Sequence, residues 1–461
     1  MPLEQFKRRI RIEVPAAELF DWHLRDGAFL RLAPPWERVG VEKWAHPDRV
    51  GEQVVIVMRV GPLKKRWVAE YREFEPGRLF RDVQVSGPFA HWDHRHRVTP
   101  DGDGAAWLED AIEYSPPLGA LGRLVAGGFV RRSLAAMFAY RKRTTRDDLL
   151  AHQWARRRLS ETGSTLRRIG VTGATGLVGA SLASFLESGG HEVVRLPRPT
   201  SPEFDKAMLE GLDAVVHLAG ENVAARRWSA SQKERILSSR VDGTRRLCER
   251  LAKLQSPPKV FVSASAVGFY GDRGDEPLDE QSSTGNDFLA DVCRRWEAEA
   301  ARASEFGARV ATLRFGVVLS GRGGALTKML TPFKLGAGGV LGSGRQYMSW
   351  IALDDAIGSI HHALVEPSLQ GAVNAVAPTA VTNREFTKTL GRVLRRPTIF
   401  PMPAVIARLA FGEMADALLL ASQRVAPVRL VSSGYQFRYA DLEDALRYQL
   451  GCINAEATRS D

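Results

Sequence analysis

The chain has 461 residues, of which 44% are hydrophobic and 25% charged, so it is long enough for two or three domains with real cores. Its net charge of +11 comes from arginines scattered along the chain without interleaved stacking aromatics, which argues against a nucleic-acid site and for a basic surface that attracts small anions. Cys248, Cys293 and Cys452 lie too far apart for a disulfide framework or a Cys-x-x-Cys metal site, and no stretch approaches a charge-free membrane span, so a cytoplasmic protein without membrane insertion is expected.

Residues 1–150 read as one α+β unit. Ile10, Ile12 and Val14 alternate with charges as a half-buried strand, and Pro15 opens a short helix with Leu19 and Phe20. Further alternating segments follow at Val54–Val60, Trp67–Tyr71 and Leu108–Tyr114, and a long helix then carries Val130, Leu134, Met137 and Phe138 on one face. Trp92, His94 and His96 alternate and share one sheet face. No third ligand is evident beside the two histidines, so they are read as pocket-lining and no metal site is expected. A strand, a helix, an antiparallel sheet and a long final helix resemble the START-like (SRPBCC) superfamily, a helix-grip fold. That resemblance implies a cup for a hydrophobic ligand.

Residues 151–167, rich in Arg, Ser, Thr and Gly towards their end, read as a linker. From residue 168 to 461 short apolar runs alternate with helical segments, at 193–196, 214–218, 260–264 and 310–315. This predicts an α/β Rossmann-type doubly wound parallel sheet with a small C-terminal lobe.

The stretch 169–179, Ile-Gly-Val-Thr-Gly-Ala-Thr-Gly-Leu-Val-Gly, places Gly173, Gly176 and Gly179 between a strand and a helix. Glycines there permit a tight turn and close approach of a pyrophosphate to the helix N-terminus, so Gly173, Ala174, Thr175, Gly176, Leu177, Val178 and Gly179 are assigned to a dinucleotide. The next strand ends at Arg195 and Arg198, where an acid would accept from a ribose 2′-OH. An arginine fork suits a 2′-phosphate, so NADP(H) is the expected cofactor. Small residues end the following strands, adding Leu218, Ala219, Gly220, Glu221, Ser263 and Gly316 to the nucleotide crevice. Ser265 stands at a strand end where its hydroxyl can bond a substrate carbonyl or alcohol. In the final third, glycine-rich residues 335–344 suggest mobility or ligand approach, with Arg345 and Trp350 as substrate contacts.

These segments together resemble the extended, atypical short-chain dehydrogenase/reductases, in particular an epimerase-like subfamily of unknown substrate. The strings that carry the likeness include 218–221 (Leu-Ala-Gly-Glu), 263–265 (Ser-Ala-Ser), 269–271 (Phe-Tyr-Gly), 293–297 (Cys-Arg-Arg-Trp-Glu) and 314–319 (Arg-Phe-Gly-Val-Val-Leu). The wider family carries a Tyr-x-x-x-Lys pair on the helix after the serine strand. This chain has none, and Cys293 falls about where the lysine would stand. Tyr270 is a candidate replacement acid or base, and Glu221 a candidate base or ribose ligand. The expected function is an NADP(H)-dependent oxidoreductase or epimerase-like enzyme for a small carbonyl or hydroxyl compound. The alternative, from the missing pair, is a non-catalytic NADP(H) sensor coupled to the N-terminal cup. Oligomeric state stays open.

Overall fold

The computed structural model describes residues 3–60, 63–116, 119–198, 201 and 204–453. The chain divides into two units, Met1–Trp154 with Glu187–Gly190 and Tyr448–Asp461, and Ala155–Leu186 with His191–Arg447.

The first unit runs β1 (Glu4–Ile12), α1 (Ala16–Leu24), α2 (Ala28–Leu32), β2 (Val39–Lys43), β3 (Gln53–Val60), β4 (Leu63–Glu75), β5 (Leu79–Ser86), β6 (His91–Pro100), β7 (Ala106–Ser115) and α3 (Gly119–Glu161). Its seven strands form one antiparallel sheet ordered β1-β7-β6-β5-β4-β3-β2, with the first strand added beside the last. The period-2 alternation of β1 and β7 turns one face inward. That face buries Ile12, Phe80, Val98 and Leu108 with Leu19, Phe20 and Trp22 of α1. Farther along it, Trp92, Ile112 and Tyr114 meet Leu134 and Phe138 of α3. The segment expected to be a linker is helical as far as Glu161. Arg156, Arg157 and Arg158 are good helix formers, and only the Thr162–Gly163 turn ends the run.

The second unit begins with β8 (Arg168–Thr172), α4 (Leu177–Ser188), β9 (Glu192–Leu196), β10 (Ala214–His217), α5 (Ala230–Leu251), β11 (Val260–Ala266) and the two-residue β12 (Pro277–Leu278). It continues with α6 (Phe288–Ala301), β13 (Arg309–Phe315), β14 (Val317–Leu319), α7 (Gly324–Lys334), β15 (Tyr347–Met348), β16 (Trp350–Ala352), α8 (Leu353–Val365) and β17 (Gly371–Ala375). Six strands pair in parallel in the order β9-β8-β10-β11-β13-β17. Strands such as β10 are buried along their whole length because helices cover both faces. Ser229 and Asp287 start α5 and α6 by accepting the amides of Gln232 and Ala290. The chain leaves β8 towards β9 on one side and reaches β10 on the other. This reversal opens a crevice at the carboxyl ends of β8 and β10, where doubly wound sheets take their ligands. Among the described residues no helix is long and apolar enough to cross a membrane.

Candidate functional site

The loop between β8 and α4 lies in that crevice. Gly173 has φ +68°, and a Cβ there would stand 2.9 Å from the carbonyl carbon and oxygen of Leu218. At Gly179 a Cβ would come within 2.2 Å of the Gly173 oxygen, so only glycine lets α4 start this close to the loop. The Gly176 amide closes the turn by donating to Gly173 O at 2.9 Å. Thr175 and Gly176 are exposed, Leu177 and Val178 half-buried, and Ala174 packs inward. The turn thus presents backbone and the positive end of a twelve-residue helix to the crevice, a cradle that fits a pyrophosphate.

The opposite wall is held by a buried polar chain that the sequence reading did not single out. Thr172 Oγ1 accepts the amides of Leu218 at 3.1 Å and Ala219 at 3.3 Å. With its lone pairs used, the hydroxyl donates to His217 Nδ1 at 2.7 Å, and His217 Nε2 donates to Thr244 Oγ1 at 2.9 Å. Burial, with the nearby Arg240 charge, pushes the His217 pKa down to about 4, so the imidazole is neutral as this pattern requires. Residues 220 and 221 are fixed from the other side. Arg240 donates to the Glu221 carbonyl at 2.9 Å, and the Glu221 amide donates to Ser239 Oγ. The Glu221 carboxylate accepts from Gln232 at 3.3 Å, which engages it at the start of α5. Arg195 and Arg198 are both exposed at the end of β9.

At the ends of β11 and β13 a second cluster forms. Ser265 is 4% exposed, and its hydroxyl donates to Glu297 Oε1 at 2.7 Å. Glu297, one turn beyond Cys293 on α6, also takes a two-pronged pair of bonds from Arg314 Nε and Nη2, each 2.8 Å. Burial would lower the Arg314 pKa, but the carboxylate outweighs it and holds the guanidinium above its usual range. Arg314 lies over the Phe269 ring and donates to the Tyr270 hydroxyl at 3.0 Å. That hydroxyl donates in turn to Asn374 Oδ1 at 2.7 Å.

Several expected site residues therefore have other surroundings. Tyr270 is fully buried, with its hydroxyl bonded on both sides and its pKa raised by burial, so it lacks the freedom and the low pKa of a proton-transferring tyrosine. Its place is structural, as a link between Arg314 and Asn374. Trp350 is 1% exposed in β16 and donates its indole N–H to Thr379 O, which makes it core instead of a substrate contact. Ser263 is wholly buried beneath Ser265 and turns its hydroxyl to the Ala264 carbonyl. Gly316 is buried, and a Cβ there would stand 2.6 Å from Ser349 O, so only glycine fits. Arg345 is exposed on its loop. The glycines before it serve packing: a Cβ at Gly339 would sit 1.7 Å from Phe400 O, and Leu341 bridges Met402. Burial and the Glu297 charge push the Cys293 thiol up to about 11, leaving it inert. Glu297 and Arg314 had been visible only as the end letters of two family strings, with no role attached.

A doubly wound sheet with a glycine cradle at its switch point, and a serine bonded to a carboxylate two strands away, defines a dinucleotide-fold protein of the epimerase and dehydrogenase type. The profile of the NAD dependent epimerase/dehydratase family matches residues 169–375, and a domain of unknown function, DUF1731, matches residues 402–449. Epimerase family protein Mb2239 of Mycobacterium bovis is 42% identical over 292 residues, covering 61% of this chain and 96% of that protein. The crystal structure of the nucleoside-diphosphate sugar epimerase from Corynebacterium glutamicum is 35% identical, with a TM-score of 0.78 over 97% of this chain and 90% of its own. Human epimerase family protein SDR39U1, solved with NADPH, is 36% identical, with a TM-score of 0.58 over 61% of this chain and 99% of its own. The chain belongs to the NAD-dependent epimerase/dehydratase family.

Proposed function

We propose that the protein is an NADP(H)-dependent oxidoreductase or epimerase-like enzyme acting on a small carbonyl or hydroxyl compound. The observation that carries this reading is the cradle at Gly173 and Gly179, whose missing Cβ atoms leave backbone and helix N-terminus open to a pyrophosphate. The exposed Arg195 and Arg198, with no acid at the end of β9, favour the 2′-phosphate form, as does the NADPH bound by the human relative. The bound nicotinamide would give or take a hydride. Ser265 supplies a hydrogen-bond acceptor for a substrate alcohol, because its own proton is engaged by Glu297. Arg314 holds that carboxylate in line through its two-pronged bond. The test is titration with NADPH and with NADH, followed by cofactor fluorescence, and then turnover with carbonyl substrates and, in the oxidative direction, with alcohols. Binding of NADPH at least about tenfold tighter than NADH is expected, and equal affinity would remove the arginine assignment. Undiminished turnover by S265A would remove the serine.

A second reading, a non-catalytic NADP(H) sensor, is favoured by one observation. The Tyr270 phenol is locked in the core, and no Tyr-x-x-x-Lys pair is present. NADPH that binds but stays unoxidised with every carbonyl offered, while the Ser265–Glu297 pair tolerates substitution, supports it.

For the N-terminal unit we propose a START-like helix-grip relationship, supported by its strand order and its long final helix. Its cavity has apolar walls from Ile10, Leu32, Leu108 and Phe138 and polar ones that include Arg8, His96, Asp110 and Arg141. That mixed lining suits a small ligand with an apolar body and a polar or anionic end.

A further inference from the structure

On the inward face of the seven-stranded sheet, three neighbouring strands bring two imidazoles and two carboxylates together. Asp82 on β5 is in register with His94 on β6, and His96 on β6 is in register with Asp110 on β7. All four side chains are nearly or largely buried, with exposures of 17%, 5%, 11% and 12% in the order Asp82, His94, His96, Asp110. His94 donates its Nε2 proton to Asp110 Oδ1 at 3.1 Å, because an ionised carboxylate can only accept. The Nδ1 atom of that neutral ring is then a bare lone pair, and it points at Asp82 Oδ2 from 3.8 Å. His96 approaches the same Asp82 oxygen through Nε2, also at 3.8 Å. Its Nδ1 is 2.8 Å from Asp110 but off the line of a hydrogen bond, and so has no aligned partner.

Two imidazole nitrogens and one carboxylate oxygen therefore converge, with the Arg141 guanidinium near Asp82 and Asp110. At 3.8 Å they are too far apart to be hydrogen-bonded to one another. The three ligand atoms lie within 4.8 Å of each other. A tetrahedral ion with bonds of about 2.0–2.2 Å holds its ligands roughly 3.3–3.6 Å apart, so the two nitrogen–oxygen distances of 3.8 Å would shorten by only a few tenths of an ångström. Asp110 occupies the place of the outer carboxylate that orients ligating histidines through their second nitrogen. Phe80 stacks on the His96 ring with centroids 4.2 Å apart and fixes its plane. On the other face of the sheet His91, Asp93 and Glu113 also come together, but there Asp93 is taken by a two-pronged bond from Arg81, at 2.8 and 2.6 Å. That cluster already has its cation.

We propose that Asp82, His94 and His96 bind one zinc-class divalent metal ion, with Asp110 as the orienting carboxylate. Two imidazoles and one carboxylate are a donor set for zinc or a neighbouring first-row ion, and against calcium or magnesium. The site is independent of the dinucleotide crevice, and its failure would leave the reading of that crevice untouched.

The experiment uses the full chain, stripped with a chelator and desalted. Cobalt(II) and zinc(II) are titrated separately, with visible ligand-field absorption for cobalt and metal analysis after gel filtration for zinc. One equivalent retained by the chain is expected, with zinc raising the thermal midpoint by several degrees. D82N and H94Q should abolish both retention and the thermal shift. D110N should weaken affinity by about 10- to 100-fold, and H91Q, on the opposite face, should change nothing. H94Q could lose its fold, whereas D82N is isosteric, and circular dichroism checks both. A folded chain that retains no metal, or a D82N variant that retains as much as the parent, overturns the proposal.

Discussion

In the antiparallel sheet the polar groups of His94, His96, Asp82 and Asp110 sit in mid-strand on one face, packed among Phe80, Trp92 and Phe138. In the parallel sheet the polar networks collect at the carboxyl ends of strands: Thr172 and His217 beside one crevice, Ser265, Arg314 and Asn374 beside the next. The difference follows from coverage. A strand with helices on both faces has no polar side to spend, so its hydrogen-bonding groups move to its end, where backbone is exposed anyway. A strand covered on one side by a helix and open on the other has a whole inward face on which alternate residues can converge. Chemistry in the second unit is thus confined to the rim of the sheet, while the first unit can hold it within.

This contrast can be broken most sharply at the rim. Arg314→Met removes one partner of a buried ion pair and strands the Glu297 carboxylate, which should cost about 3–5 kcal/mol in urea unfolding. A cost below about 1 kcal/mol would show that the pair is better solvated than its burial implies. Gly179→Ala pushes a methyl group into the Gly173 carbonyl and should lower NADPH affinity by about 100-fold, roughly 2.7 kcal/mol, in a chain that still folds. Affinity unchanged in that variant would mean the cradle does not hold the pyrophosphate.

The buried His217 gives a pH signature. Its folded pKa near 4 lies below the unfolded value of about 6.5, so its contribution is complete above about pH 6.5 and is lost as pH falls towards 4. By pH 5 the loss amounts to about 2 kcal/mol. His23 and His362 are depressed in the same direction. The quantity to measure is therefore the difference between the parent and H217Q across pH 7.5 to 5, and parallel curves would refute the neutral Thr172–His217–Thr244 chain. The smallest effect is expected of Arg198→Met, an exposed residue. It should weaken NADPH by about tenfold and leave NADH unchanged, as read by fluorescence titration. Equal losses for both cofactors would assign Arg198 to general attraction of anions.

The glycine cradle was legible because its requirement is local. Gly173 needs a left-handed φ and Gly179 an absent Cβ, and both needs are met within seven residues of chain. The parallel sheet was legible in the same way, from short apolar runs such as 214–218. Glu297 was not, since one carboxylate on an amphipathic helix looks like any solvated acid until α6 packs behind β11 and turns it onto Ser265. Tyr270 erred in the opposite direction. Proximity in sequence to Ser265 suggested a shared pocket, but the turn after β11 sends the ring into the core beneath Arg314. Asp82, twelve residues before His94, was not read beside the two histidines because only the β5–β6 register makes them neighbours.

Sequence by itself determined the two kinds of sheet, the glycine-rich loop between β8 and α4, the arginines at and just beyond the end of β9 and the absence of a Tyr-x-x-x-Lys pair. All of these depend on periodicity or on spacing within a single strand–turn–helix. Tertiary structure alone decided which polar groups meet: Ser265 with Glu297 and Arg314, His217 with Thr172 and Thr244, Asp82 with two histidines. Those contacts join residues on different strands and helices, and a buried polar group is defined by the partner that packing brings to it.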